Sequence, residues 1–330
     1  LNGDLPVRAI VAGTPGSEVL LDRVAADLRA HGWEVRCFYG ESVAVVDPAR
    51  WADAEVLICY GIPLGAAEFD KAAKLRGIVS PTIGYEWIDE KAASARGILI
   101  ANGAVPQNQE SMAEATILLL LATLYDLPGA EGELRGAARK RIPPRMLQGK
   151  CVGLLGYGNI AQAIVGRLQG WGAGFVVHRR SKATVDDRVE FVPLHTLLDR
   201  CDILIILTSL NSGSHRLIDA AALDRLKRGA ILINVSRGGI VDEDAMAERL
   251  ADGRLSMAAL DVFEEEPLPA TSPLRRVSNA ILTPHALGHT LESFAAIPGV
   301  AVENALALGR WAVPASTRNA EIAAHWRTRK

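Results

Sequence analysis

The segment GYGNIA (156–161) sets Gly156, Gly158 and Ala161 in the spacing G-x-G-x-x-A. It directly follows the apolar run CVGLL and opens a helical stretch that extends to about Trp171. In that strand–turn–helix setting the first glycine allows a tight turn and the second lets the backbone approach a pyrophosphate. A small third residue lets helix and strand pack closely. Exposed N–H groups and the helix dipole attract phosphate there, so Gly156, Tyr157, Gly158, Asn159 and Ile160 are candidate dinucleotide-binding residues. The next strand, GFVVH, ends about twenty residues later, where NAD sites place an Asp or Glu on the ribose. Here the run is His178, Arg179, Arg180, Ser181 and Lys182, with no acid until Asp186. An acid would repel a 2′-phosphate, whereas a guanidinium pairs with it bidentately. Arg179, Arg180 and Ser181 therefore favour NADP(H) over NAD(H). Three further segments concentrate ionisable side chains: NVSRGGIVDEDAM (234–246), ALDVFEEEP (259–267) and TPHALGHT (283–290).

These motifs need rigid elements behind them, and the hydrophobic pattern supplies two successive α/β units. The chain has 330 residues, more than one small core organises, so two domains are expected. At 49% hydrophobic and 22% charged residues the composition is that of a globular protein and excludes disorder, collagen and coiled coil. The formal net charge of −2 leaves no cationic excess to neutralise phosphates, so neither nucleic acid nor anionic membrane is an expected partner. The longest apolar run, Ile117 to Ala122, is far short of the ~20 residues of a membrane span. No signal peptide is expected. The cysteines Cys37, Cys59, Cys151 and Cys201 form no CxxC and read as small buried hydrophobes in a reducing, cytoplasmic compartment, with no metal site.

Strands are expected at 7–13, 34–39, 55–60, 76–80 and 97–102 in the first unit. In the second they are expected at 151–156, 174–178, 202–207, 230–235, 257–262 and 280–284. Apolar strands alternating with helices imply parallel sheets covered on both faces. A helix over roughly 108–125 is apolar almost all round, so it should be buried between packed surfaces, at a domain junction or a dimer interface. The Gly-, Pro- and Arg-rich stretch 128–145 reads as an exposed excursion whose basic residues Arg139, Lys140, Arg141 and Arg145 are a solvated run. A last helix spans roughly 290–308.

Taken together with the glycine loop, the three dense segments resemble the D-isomer-specific 2-hydroxyacid dehydrogenase family, and the similarity covers nearly the whole chain. SPTIGYEWID (80–89) resembles the family's G-x-D-N-I-D region and SMAEATILLL (111–120) its S-V-A-E helix. The resemblance implies two Rossmann-like/flavodoxin-like parallel-sheet α/β domains joined by two crossing helices. Residues 1–104 and 289–330 would form a discontinuous substrate domain, and 105–288 the dinucleotide-binding Rossmann domain. By the same resemblance Arg237 grips the substrate carboxylate and polarises the keto oxygen, a task suited to a planar fork. His285 is the general acid/base, and Glu266 its carboxylate partner, which orients the ring and favours its protonated form. Asp261 binds the nicotinamide carboxamide. Thr208, Val235 and Ser236 at strand ends join the cofactor set, and Ile83 and Gly84 offer backbone N–H groups to the substrate carboxylate.

The chain departs from the family pattern in places. TPHALGHT differs from the common PHxGxxT, His289 replaces a small residue and reads as a helix-start residue, and Glu86 and Trp87 stand where Asp-Asn is frequent. Related phosphite dehydrogenases carry a lysine where this chain has Ile83, and formate dehydrogenases a Gln in place of Glu266. Both differences point away from those substrates. The sequence therefore reads as an NADP(H)-dependent, homodimeric reductase of a small 2-oxo acid to the D-2-hydroxy acid. The rival is a dinucleotide-sensing, corepressor-like binding protein on the same fold.

Overall fold

The structure, a computed structural model of the chain, describes residues 6–136, 141–180, 185–326 and 328. The sequence-predicted residues Arg139, Lys140, Ser181 and Lys182 lie outside the described residues. In chain order the elements begin β1 (Arg8–Gly13), α1 (Glu18–Ala30), β2 (Glu34–Tyr39), α2 (Pro48–Asp53), β3 (Val56–Tyr60) and α3 (Ala66–Lys71). They continue with β4 (Gly77–Ser80), α4 (Glu90–Ala95), β5 (Leu99–Asn102), α5 (Pro106–Leu124), α6 (Leu127–Leu134), β6 (Cys151–Leu155) and α7 (Asn159–Arg167). Then come β7 (Gly174–His178), β8 (Glu190–Phe191), α8 (Leu194–Arg200), β9 (Ile203–Ile206), α9 (Ala220–Arg225), β10 (Ala230–Asn234) and α10 (Glu243–Ala251). The chain closes with β11 (Leu255–Leu260), β12 (Ala280–Leu282), α11 (Leu291–Gly309) and α12 (Ala323–Trp326).

The chain divides into two compact units, residues 1–108 with 291–330, and residues 109–290. It passes from the first to the second within α5 and returns immediately ahead of α11. The first unit is a five-stranded parallel sheet of order β2-β1-β3-β4-β5, the flavodoxin-like arrangement. The helix α1 buries Leu21, Val24, Ala25 and Leu28 at helical spacing. They share one core with Ala301, Val302, Ala305 and Leu308 of α11, a helix that is apolar by composition and packed in this core. Its buried Asn304 donates to the Asn102 carbonyl (3.1 Å) and accepts from Ser316 (3.1 Å). Asn319 is fully buried, accepting from Ile100 N–H and donating to the Ile98 carbonyl. Two buried amides thus stitch the returning C-terminal chain to β5, since each would be costly to bury unpaired.

The second unit is a seven-stranded parallel sheet of order β12-β11-β10-β9-β6-β7-β8. Apolar clusters cover both of its faces, as the continuous apolar strands require. The order reverses at β6, so the crevice between β6 and β9 is the topological switch point at which such sheets bind ligands.

Two sequence expectations are corrected in this unit. Residues 128–145 are not simply an exposed excursion, because α6 occupies 127–134. Asp126, buried and in the left-handed region (φ 44°), accepts from Gly129 N–H (3.2 Å) and Ile142 N–H (2.8 Å), so one carboxylate ties down both ends of the segment. Arg145 is half-buried and donates to the Gly229 carbonyl (2.8 Å) and to Ser256 (2.6 Å). Composition announces flexibility here, and a buried cap overrides it. Nor is α5 covered all round within this chain, since Leu118 and, just beyond the helix, Tyr125 and Leu127 are exposed.

Candidate functional site

Register brings the candidate residues of the second unit to one edge. Leu155 pairs with His178 and with Ile206, Ile206 with Asn234, Asn234 with Leu260, and Leu260 with Leu282. These six residues form one level row across six parallel strands. The loops that start beyond it carry Gly156, Arg179, Thr208, Val235, Asp261 and His285.

Gly156 stands at φ 107°, and a Cβ there would meet the Leu207 carbonyl and Thr208 N at 2.8–2.9 Å. Only glycine fits so close to the end of β9. Gly158 caps α7, and a Cβ on it would enter open space among the described residues. A phosphate can therefore approach this backbone, with Asn159 and Ile160 opening the helix behind it. Ala161 is fully buried against the core under the sheet. Tyr157 is nearly buried, and its hydroxyl donates to Asp186 (2.6 Å). Burial first, then that bond, pushes its pKa up to about 12. The guanidinium of Arg179 lies 4.2 Å over the Phe191 ring, while Arg180 reaches Asn211 (3.3 Å).

The turn after β10 is built around Asn234, which is 1% exposed. Its side chain accepts from Ser236 N–H (3.1 Å) and donates to the Arg237 carbonyl (2.9 Å). Ser236 also donates its hydroxyl to the Thr208 carbonyl, joining the β9 and β10 loops. The guanidinium of Arg237 donates to the Ser236 carbonyl (2.7 Å). The next residue, Gly238, lies flat against the Phe263–Glu264 peptide, where a Cβ would be 1.8 Å from the Phe263 carbonyl carbon. Glu243, on the first turn of α10, accepts from Glu264 N–H (2.6 Å).

That 263–266 segment ends in the Glu266–His285 pair. Glu266 accepts from Phe263 N–H (2.9 Å) with one oxygen and from His285 Nδ1 (2.7 Å) with the other. An ionised carboxylate can only accept, so Nδ1 carries the proton and Nε2 is the ring nitrogen outside this bond. Burial pushes Glu266 up, but His285, the Phe263 N–H and the Arg237 charge outweigh it and hold its pKa below the usual range. His285 sits in the left-handed region (φ 53°). Its turn is clamped by buried Asp261, which accepts from Thr283 (2.7 Å), Ala286 N–H (3.2 Å) and Leu287 N–H (3.4 Å). His289 lies in the loop ahead of α11, its pKa lowered by burial and by the charge of His285. That favours a neutral ring over a second acid.

A model of the D-isomer specific 2-hydroxyacid dehydrogenase NAD binding domain matches residues 117–286. A glyoxylate reductase of Korarchaeum cryptofilum (strain OPF8) is 33% identical over 289 residues, 84% of this chain and 86% of its own length. The chain belongs to the D-isomer-specific 2-hydroxyacid dehydrogenase family. Among solved structures, a protein of Thermus thermophilus is 32% identical with a TM-score of 0.78, covering 94% of this chain and 99% of its own. The NADPH-dependent glyoxylate/hydroxypyruvate reductase of Sinorhizobium meliloti, in complex with NADP and malonate, is 28% identical with a TM-score of 0.84, covering 96% and 97%.

Ile83 and Gly84 lie in the first unit of this dehydrogenase, in the loop after β4. Their carbonyls accept from Asn102 (2.7 Å) and Ser80 (2.6 Å), which pins the loop through its oxygens. Sequence reasoning missed Asn234, Thr283, Glu243 and Gly238. A buried amide at a strand end and a hydroxyl two residues ahead of His285 were the available signals.

Proposed function

We propose that this dehydrogenase reduces a small 2-oxo acid to the D-2-hydroxy acid with NADP(H). The observation that carries the reading is the 2.7 Å His285–Glu266 pair, held on the same strand edge as Arg237 and the glycine loop. The Korarchaeum glyoxylate reductase and the Sinorhizobium NADPH-dependent reductase support it by similarity. Gly156 to Ile160 would hold the pyrophosphate, with Thr208, Val235, Ser236 and Asp261 along the same edge. Arg179, Arg180 and Ser181 would take the 2′-phosphate. When bound, the nicotinamide supplies the hydride delivered to C2 of the substrate.

On this reading each step of the chemistry falls to a residue of this edge. Arg237 binds the carboxylate and draws electron density toward the keto oxygen. His285 Nε2 gives its proton to that oxygen as the C–O bond loses its double-bond character. Glu266 keeps Nδ1 protonated, so the ring returns to the imidazolium by taking a proton from solvent at Nε2. Asp261 holds the turn that carries the ring. In oxidation Nε2 takes the hydroxyl proton back. The first unit, with Ile83 and Gly84, serves as the substrate-binding domain and the second as the dinucleotide-binding domain. A cytoplasmic homodimer completes the reading, supported by the exposed apolar side chains Leu118, Tyr125 and Leu127.

The test is a panel of short 2-oxo acids, glyoxylate and hydroxypyruvate included, assayed for oxo-acid-dependent oxidation of NADPH and NADH. Turnover with NADPH is expected. Cofactor binding without turnover on any oxo acid would refute the reading and leave a dinucleotide-sensing protein.

A further inference from the structure

The stretch between β7 and α8 contains a cluster that the proposed reaction does not use. Asp186 is the first acid after the strand end, and its side chain is 10% exposed. Its Oδ2 accepts from the Tyr157 hydroxyl (2.6 Å) and from Arg188 Nη2 (2.6 Å). Its Oδ1 accepts from Arg188 Nε (2.9 Å) and Arg188 N–H (3.0 Å). A carboxylate offers about four acceptor sites, so all of them are spent. Arg188 first, and then Tyr157, hold its pKa well below the usual carboxylate range. A ribose diol could bind Asp186 only by displacing bonds that are already charge-assisted.

The same cluster leads to Arg179. Tyr157 meets Phe191 edge to face, with centroids 5.4 Å apart and planes at 87°. Phe191 is in β8, paired with Val177 of β7, and its face carries the Arg179 guanidinium at 4.2 Å. Stacking engages the flat face of a guanidinium and none of its in-plane N–H donors. The ring therefore holds the cation by its face. It also ties the cation, through Tyr157, to the glycine loop that approaches the pyrophosphate.

We propose that Phe191 and the Tyr157–Asp186–Arg188 cluster are specificity-determining: Phe191 presents Arg179 to a ribose 2′-phosphate, and the cluster withdraws Asp186 from a ribose 2′-hydroxyl. The inference rests on the NADP(H) reading above and names the residues that would enforce it. It makes Phe191 and Arg188 positioning residues, acting through Arg179 and Asp186.

Calorimetric titration of the full chain with 2′,5′-ADP and with 5′-AMP tests this without turnover. The unsubstituted protein binds 2′,5′-ADP more tightly. Phe191→Leu weakens 2′,5′-ADP about three- to fivefold, the value of an exposed cation–π contact, and leaves 5′-AMP unchanged. Phe191→Trp, which restores a ring face, restores the preference. Arg188→Met frees the Asp186 carboxylate, strengthening 5′-AMP and weakening 2′,5′-ADP. The ratio of kcat/KM for NADPH over NADH moves in the same order. If Phe191→Leu weakens both nucleotides equally, or neither, or if the Trp variant fails to restore the preference, Phe191 has only a structural role and the proposal falls. Unchanged 5′-AMP affinity in Arg188→Met refutes the role of Asp186. An unsubstituted protein with no preference for 2′,5′-ADP overturns the NADP(H) reading itself and this inference with it.

Discussion

Adjacent glycines in SRGG should respond in opposite ways to the same added methyl group. A Cβ on Gly238 would stand 1.8 Å from the Phe263 carbonyl carbon, 2.2 Å from Glu264 N and 2.3 Å from the Phe263 oxygen. All three are backbone atoms, and contacts under 3.0 Å are not tolerated, so the two segments must separate by more than 1 Å. One of them carries Arg237, and the other carries Glu266 with its bonds to Phe263 N–H and His285. A misplacement of that size costs about 10²-fold in rate. The overpacking itself should cost about 1–3 kcal/mol of stability. Gly238→Ala is therefore expected to lower kcat/KM for oxo-acid reduction about a hundredfold and to lower the Tm. On Gly239 a Cβ meets only side chains, the nearest being Leu210 at 3.5 Å, an ordinary contact. Gly239→Ala should stay within about 0.5 kcal/mol of the unsubstituted protein, with full activity. Steady-state kinetics and thermal melts on the two variants decide the matter. Unimpaired kcat/KM in Gly238→Ala, or equal damage in both, would show that the close approach does not set the geometry of the site.

His285→Ala should lose at least ~10²-fold in kcat/KM for reduction, the lower end for general acid catalysis, while Arg237→Ala should raise KM as well as lower kcat; normal turnover in the His285 variant would end the mechanistic reading. The depressed pKa of Glu266 contributes stability above the unfolded glutamate value, about 4.3, and that stability is lost as pH falls through the lower folded value. Melts in acid should therefore show a smaller pH dependence for Glu266→Gln, and the alkaline fall of its reductive kcat/KM should shift to lower pH. Arg179→Asp should reverse the ranking of NADPH and NADH mainly through KM. The NADPH preference should also weaken with salt, and equal kcat/KM for the two cofactors in the unsubstituted protein would refute the assignment of Arg179. Asn234→Ala leaves Ser236 N–H and the Arg237 carbonyl without their partner, so stability should fall by about 1–3 kcal/mol and the loss of activity should exceed any change in cofactor binding; unchanged kcat would count against it.

Much of the fold was legible because parallel strands covered on both faces must be apolar along their length. EVRCFY and GFVVH were read to the residue, most other runs, such as DILIIL, were trimmed at their ends where the register stops, and the strand expected at 257–262 lies two residues earlier, at Leu255–Leu260. The helix after the glycine loop stops at Arg167 rather than at Trp171, since Gly170 and Gly172 at positive φ turn the chain out of it. The 128–145 segment misled for a related reason. Gly and Pro mark where a chain can turn, whereas the element there depends on a buried Asp126 cap that the sequence does not distinguish from a surface acid. The two-residue strand β8 carries no periodicity at all, yet it places Phe191 under Arg179.

The residue types of the candidate site could be read from the sequence, and the support under His285 could not, because that support is made by register. Asp261 and Thr283 are 22 positions apart, and nothing in either segment announces that they meet. Leu260 pairs with Leu282, so the next residue on each chain stands at the same level, and the Thr283 hydroxyl falls on the Asp261 carboxylate. The carboxylate then takes the two N–H groups beyond His285 and can hold that residue in a backbone conformation that costs a side-chain-bearing residue of order 1–3 kcal/mol elsewhere. Asn234, at the end of β10, acts locally instead, through its bonds to Ser236 N–H and the Arg237 carbonyl in the turn that follows. Arg237 and His285 are thus each fixed by a buried polar residue on or just beyond the level row. A one-residue slip of β12 against β11 would part Thr283 from Asp261 while leaving every motif intact.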